Sequence, residues 1–337
     1  MSKKDQKSIQ PKNIKAISPA EKAPEGLPLP PNAQMPKLPP EVEKKLEALK
    51  GKLDSFKTKV LDKFGDYIVG IALLPPEKPQ PKPEASQSDE PQEKAPESKP
   101  AIPEDQKINL LVLVDDTTSQ KMTKDELHQK FSTVVQKIAE EVDKNLVPQS
   151  VLLTDLWQNS YDAKYDLNRL ISMSAPIHDT GMLAAIKISE IHKSMVIKKF
   201  DKYILSYVLA GSLTQGRATS SSDIDVWIVI DDTDVKKMTR VELKDKLRAI
   251  IIGMGIEAGE MTGIKNKLNI QVYILTDFWE SLKEANPIIF TLLRDGVPFY
   301  DRGIFMPWKQ LLRMGRIKPS REAIELFMST GEQTLSR

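Results

Sequence analysis

Residues 203–230 read YILSYVLAGSLTQGRATSSSDIDVWIVI. An apolar run, Ile204–Leu209, ends at Gly211-Ser212, and a second run, Val226–Ile230, opens at Asp223-Ile224-Asp225. Two apolar runs joined by small and hydroxyl residues predict adjacent strands with a loop between them. Residues two apart on a strand share a face, so Asp223 and Asp225 point one way and Ile224 the other. Paired carboxylates repel unless a cation sits between them. Hard divalent ions such as Mg2+ take oxygen ligands and commonly share carboxylates with substrate phosphates. Gly211 lets a phosphate approach the backbone, Ser212 offers a hydroxyl and an N–H, and Gly216 and Arg217 add a turn and a positive charge. The chemistry expected is metal-assisted transfer of a nucleotidyl group.

The ordered string GSLTQGRATSSSDID resembles the signature of the DNA polymerase β-type nucleotidyltransferase superfamily, and within it the minimal and antibiotic nucleotidyltransferases. Gly211, Ser212, Gly216, Ala218, Ser222, Asp223 and Asp225 stand where that signature places them. The resemblance implies an α/β fold, a small mixed sheet with flanking helices. It implies an NTP substrate, ATP first among them, and two Mg2+ (or Mn2+) ions held by Asp223 and Asp225 as the catalytic pair. Gly211, Ser212, Gly216, Arg217 and Ser222 would hold the nucleotide, whose NMP moves to an acceptor hydroxyl. Antitoxin-like members modify a partner ribonuclease toxin, so a protein acceptor of that type is expected. Small-molecule and RNA acceptors are also known in the superfamily.

The superfamily places a third carboxylate on the next strand, here Asn269–Leu275. By alternation Asn269, Gln271 and Tyr273 share a face, and Gln271 is matched to the missing acid. Glu257 and Glu260 are candidate substitutes. If neither reaches the site, the alternative is a weak or inactive nucleotide-binding scaffold that assembles partners. Trp279, Phe290, Phe299 and Tyr300 are candidates to stack on a base, although Trp279 reads as a core residue because Trp157 recurs at its place.

Charge adds little. Lysine plus arginine (49) nearly balance aspartate plus glutamate (47), which gives RNA no support as a partner. The chain has no cysteine and three histidines, which sets aside thiolate and histidine-rich metal sites. No apolar run is long enough to span a bilayer, so no membrane partner is expected and a cytoplasmic location is.

Further out, motifs recur in order. Lys63-Phe64 with Tyr67-Ile68 returns as Lys199-Phe200 with Tyr203-Ile204, 136 residues on. VDDTTSQKMTKDEL from Val114 returns as IDDTDVKKMTRVEL from Ile230, 116 on, and Thr154-Asp155-Leu156-Trp157 returns as Thr276-Asp277-Phe278-Trp279, 122 on. Such self-similarity predicts two tandem copies of one domain. Pro75-Pro76 take the places of Gly211-Ser212, and Lys107 and Asn109 those of Asp223 and Asp225, so the first copy reads as degenerate. The expected organisation is a proline-rich disordered tail at 1–40, the degenerate copy at 41–180 with a disordered insertion at 75–106, the nucleotidyltransferase domain at 181–305, and a helical segment at 306–337. Asp231 and Asp232, repeated as Asp115 and Asp116, read as structural rather than as metal ligands.

Overall fold

A computed structural model of the chain describes residues 40–76, 107–117, 123–217, 219, 221–233, 238–284, 286–318 and scattered positions from 321 to 332. The expected tail, most of the insertion and Ala218 lie outside the described residues. The elements in order are α1 (Pro40–Phe64), β1 (Ile68–Leu73), β2 (Ile108–Val114), α2 (Lys124–Val142), β3 (Leu146–Leu152), α3 (Leu153–Tyr161), α4 (Asp166–Met173), β4 (Ala175–Asp179) and α5 (Met182–Phe200). They continue with β5 (Ile204–Ala210), β6 (Ile224–Ile230), α6 (Arg240–Thr262), β7 (Leu268–Ile274), α7 (Leu275–Lys283), α8 (Pro287–Asp295), β8 (Val297–Asp301) and α9 (Phe305–Arg313).

The strands form two four-stranded mixed sheets, in the orders β3-β2-β1-β4 and β7-β6-β5-β8. In each, the two strands from the apolar runs are antiparallel, the third is parallel to the second, and the last is antiparallel to the first. The architecture is α/β with flanking helices, consistent with two tandem domains. Matching details recur at the sequence offsets. Asp116 accepts from the backbone N–H and hydroxyl of Thr154, and Asp232 does so from Thr276. Asp179 caps α5 through the N–H groups of Leu183 and Ala184, and Asp301 caps α9 through those of Phe305 and Met306. These carboxylates satisfy donors that a helix start leaves orphaned. Asp231 is occupied similarly, by the N–H and hydroxyl of Thr233.

β3 carries a proline, Pro148, inside the strand. It is an edge strand, where a proline is tolerated.

Three apolar layers hold the sheets. Phe56 and Val60 of α1 pack with Phe131 and Val135 of α2 on the Ile71, Leu110 and Val112 face of the first sheet. The other face of that sheet (Val69, Ala72, Leu111, Leu113) shares one continuous core with Tyr207, Leu209, Val226 and Ile228 of the second. Helix α5 runs through this core and buries ten residues between Met182 and Val196. Gly70 of β1 makes room for it, since a Cβ there would meet Leu183 at 2.6 Å. The far face of the second sheet (Leu205, Val208, Val229) carries α7, α8 and α9 through Phe278, Ile289, Leu293 and Phe305. It is this far face that bears Asp225.

Candidate nucleotide site at the β5–β6 loop

β5 ends at Ala210, and the backbone turns at Gly211 with φ of +75°. A Cβ at 211 would lie 2.1 Å from Asp225 Oδ2, so glycine is required both for the turn and for the space the carboxylate fills. The loop then ties itself down. Thr214 donates its hydroxyl to the Gly211 carbonyl at 3.0 Å, and Arg217 N–H donates to the Ser212 carbonyl at 2.9 Å. Gly216, with φ of +71°, packs beside the Asp115 carboxylate at the end of β2. Thr219 N–H donates to Ser222 Oγ at 3.0 Å, and the Asn266 amide donates to the Ser222 carbonyl at 2.9 Å. Ser222 thus closes the loop, while Arg217 and Asp223 are exposed and Gly211, Ser212, Gly216 and Asp225 are half-buried.

Within the sheet, Asp225 pairs with Ala210 on one side and Asn269 on the other. Asn269 Nδ2 donates to Asp225 Oδ1 at 2.8 Å, and Gln271 Nε2 donates in turn to Asn269 Oδ1 at 3.3 Å. The residue beside Asp225 on β7 is therefore Asn269 and not Gln271, whose partner in the parallel register is Trp227. Alternation fixes the face but not the register between strands, and that is why the sequence misplaced it by one pleat. Glu257 and Glu260 are exposed on α6. That helix packs on the opposite face of the sheet, with Ile270 and Val272, so neither glutamate completes the site. Among the described residues no group of three or more His, Cys, Asp or Glu side chains is arranged to hold a metal ion.

Asp225 opens onto a cavity of about 380 Å³. The sheet contributes Gly211, Trp227, Asn269 and Gln271, and α8 closes the other side with Ile288 and Thr291. Trp227 escaped the sequence reading because it lies inside an apolar strand, yet it stands two residues from Asp225 and so on the same face. Its indole stacks on Tyr273 with centroids 5.3 Å apart. The aromatic residues expected to stack on a base lie elsewhere. Phe299 is fully buried, and Trp279 is 49% exposed beside Trp308 rather than in the core. Trp157, its counterpart, is buried against Phe299.

α8 is held in place by an unusual lysine. Lys309 of α9 is fully buried, and its Nζ donates to the carbonyls of Leu293, Arg294 and Gly296 at 2.8–3.0 Å. These are C-terminal carbonyls of α8, where a cation opposes the helix dipole. Burial pulls the Lys309 pKa down to about 8. Asp295, at the last turn of α8, accepts from Gln215 at 3.2 Å and so joins this helix to the β5–β6 loop.

No protein-family model matches the chain. It is similar to a Methanocaldococcus jannaschii protein named "Putative protein adenylyltransferase MJ1305", at 30% identity over 122 residues, which cover 36% of this chain and 73% of that protein. Among solved structures it is similar to a chain from a crystal structure of a toxin–antitoxin with AMP-PNP. That likeness has 14% identity and a TM-score of 0.22, and covers 44% of this chain and 93% of the other. On the archaeal relationship, the chain belongs to the same nucleotidyltransferase-like superfamily as the M. jannaschii protein.

Proposed function

We propose that the protein transfers an NMP, AMP first, from an NTP to a hydroxyl on a protein acceptor, using divalent metal at Asp223 and Asp225. The observation that carries this reading is the Asp225 carboxylate seated against a left-handed Gly211 at the mouth of the cavity. The donor set suits a hard ion, because Asp223 and Asp225 supply carboxylate oxygens and the chain has no cysteine thiolate to offer. When bound, Mg2+ or Mn2+ would supply charge neutralisation at the entering and leaving oxygens. The chain itself does the rest. Gly211 and Ser212 present backbone and hydroxyl to the phosphates, Arg217 and the Gly216 turn add positive charge and room, and Ser222 keeps the loop closed. Trp227 walls the cavity as a platform for the nucleoside. The name of the archaeal relative supports adenine and a protein acceptor. In this reading the two sheets descend from a duplication, the first copy having lost its loop and both acids.

A second reading is favoured by one specific observation. Asn269 stands beside Asp225 where the superfamily keeps a carboxylate, and an amide cannot serve as a base. The protein would then bind Mg2+–NTP as a scaffold with little or no turnover. The experiment is incubation with Mg2+ and each labelled NTP plus a cell extract, with Asp223→Ala/Asp225→Ala as control. Label transfer with pyrophosphate release, lost in the control, supports the enzyme. Saturable NTP binding without transfer supports the scaffold, and neither binding nor transfer sinks both.

A further inference from the structure

We propose that the chain forms a two-fold symmetric dimer through the outward face of α6, with the two helices antiparallel about Gly253. α6 buries Leu243, Leu247, Ile251, Gly255 and Ala258. Its outward side carries Glu242, Asp245, Lys246, Arg248, Glu257 and Glu260, but between Arg248 and Glu257 the exposed residues are apolar. Ile256 is 62% exposed, and Ile250 and Ile252 are 39% and 36% exposed. An exposed apolar stretch rimmed by charged residues is the part of a helix face that a partner covers. At the centre of the exposed stripe, a Cβ on Gly253 would meet nothing within 4 Å. A second helix can therefore approach closely there.

Charge selects a second molecule of this chain as the occupant. Outward from Gly253, Ile250 and Ile256 stand three residues to either side, and Lys246 and Glu260 stand seven. With Gly253 on the dyad of an antiparallel pair, each Ile250 meets Ile256 of the other molecule, and each Lys246 meets Glu260. A parallel pair would instead set lysine on lysine and glutamate on glutamate. A self-complementary patch of this kind is what an isologous interface requires. Lys246 and Glu260 are both exposed, and Lys246 already leans along the helix on Glu242 at 2.8 Å. Because α6 covers the sheet face opposite Asp225, both cavities remain open in the dimer. The stripe from 246 to 260 is only about 21 Å long at 1.5 Å per residue, so the interface is small and dissociates in the micromolar range.

The test is sedimentation velocity of the full chain at about 1 to 100 μM, with thermal melts to establish that each variant is folded. The wild type is expected to dimerise with concentration. Lys246→Glu and Glu260→Lys should each weaken the dimer about tenfold, and the double variant should recover most of the loss. Gly253→Leu favours the helix itself, so its expected loss of dimer cannot come from unfolding. A wild type that stays monomeric throughout overturns the proposal. So does a dimer that ignores Gly253→Leu, or charge reversals that fail to rescue one another.

Discussion

Gly211 and Gly263 offer a matched pair for testing whether Asp225 defines the site. Both are left-handed, with φ of +75° and +67°. Alanine at either costs about 1 kcal/mol for the backbone alone. Their surroundings differ completely. A Cβ at 263, the C-cap of α6, meets nothing within 4 Å, whereas one at 211 lies 2.1 Å from Asp225 Oδ2. Ordinary contact is above 3 Å, so the carboxylate must retreat by roughly 1 Å, which breaks its bond from Asn269. A charge-assisted hydrogen bond is worth about 1.5 to 3 kcal/mol, and partial exposure of Asp225 places this one at the low end. Gly211→Ala should therefore lose about 2 to 3 kcal/mol in urea denaturation, and Gly263→Ala about 1. Calorimetric titration with Mg2+–ATP should find Gly263→Ala within about twofold of wild type and Gly211→Ala weakened at least tenfold. Equal losses of stability and equal affinities in the two variants would refute the argument.

Asn269→Asp restores an acid beside Asp225. Without divalent metal it should cost about 1 to 2 kcal/mol through like-charge repulsion. Mg2+ should recover that cost and raise nucleotidyl transfer, as followed by pyrophosphate release. Lys309→Met leaves three buried carbonyls of α8 without their donor and should cost about 3 kcal/mol in denaturant unfolding, with the cavity wall loosened as read by hydrogen exchange of α8. His192 is buried between Tyr207 and the Ile251 carbonyl, and burial lowers its pKa from 6.5 to about 4. The unfolded chain takes up the proton first as pH falls, so this contribution is complete above pH 6.5 and is lost between 6.5 and 4, by about 3 kcal/mol. Denaturation across that range should show the slope, and His192→Asn should flatten it.

The strand–loop–strand around Asp225 was legible because two strong signals coincided there. The apolar runs gave the strands, and glycines at positive φ marked the turns. The start of α2 carries a local signal of its own, because Thr123 and Glu126 form a capping box there. What sequence could not provide was anything that depends on how strands are staggered. The identity of Asp225's neighbour is such a quantity, and so is the side of the sheet on which Glu257 and Glu260 fall. Trp227 was concealed because an aromatic residue in a buried-looking strand reads as core until a cavity is known to open above it. Trp279 and Trp157 show the converse. One repeated motif yields an exposed indole in one place and a buried one in the other, because the packing over α3 and α7 differs.

The two sheets also differ in what covers the face that in the second sheet bears Asp225. In the first sheet the position matching Trp227 is Leu111, which is 1% exposed and belongs to the core shared with the second sheet. The position matching Asp225 is Asn109, paired with Val147 on β3. α5, capped by Asp179 at the end of the first sheet, also leads into β5 of the second. One helix thus serves both sheets, and its apolar residues belong to the core they share. Acids placed at 107 and 109 would therefore stand beside a core leucine, where Asp225 stands beside the cavity-lining Trp227. The candidate site lies on the far face of the second sheet, which α7, α8 and α9 cover and α5 does not.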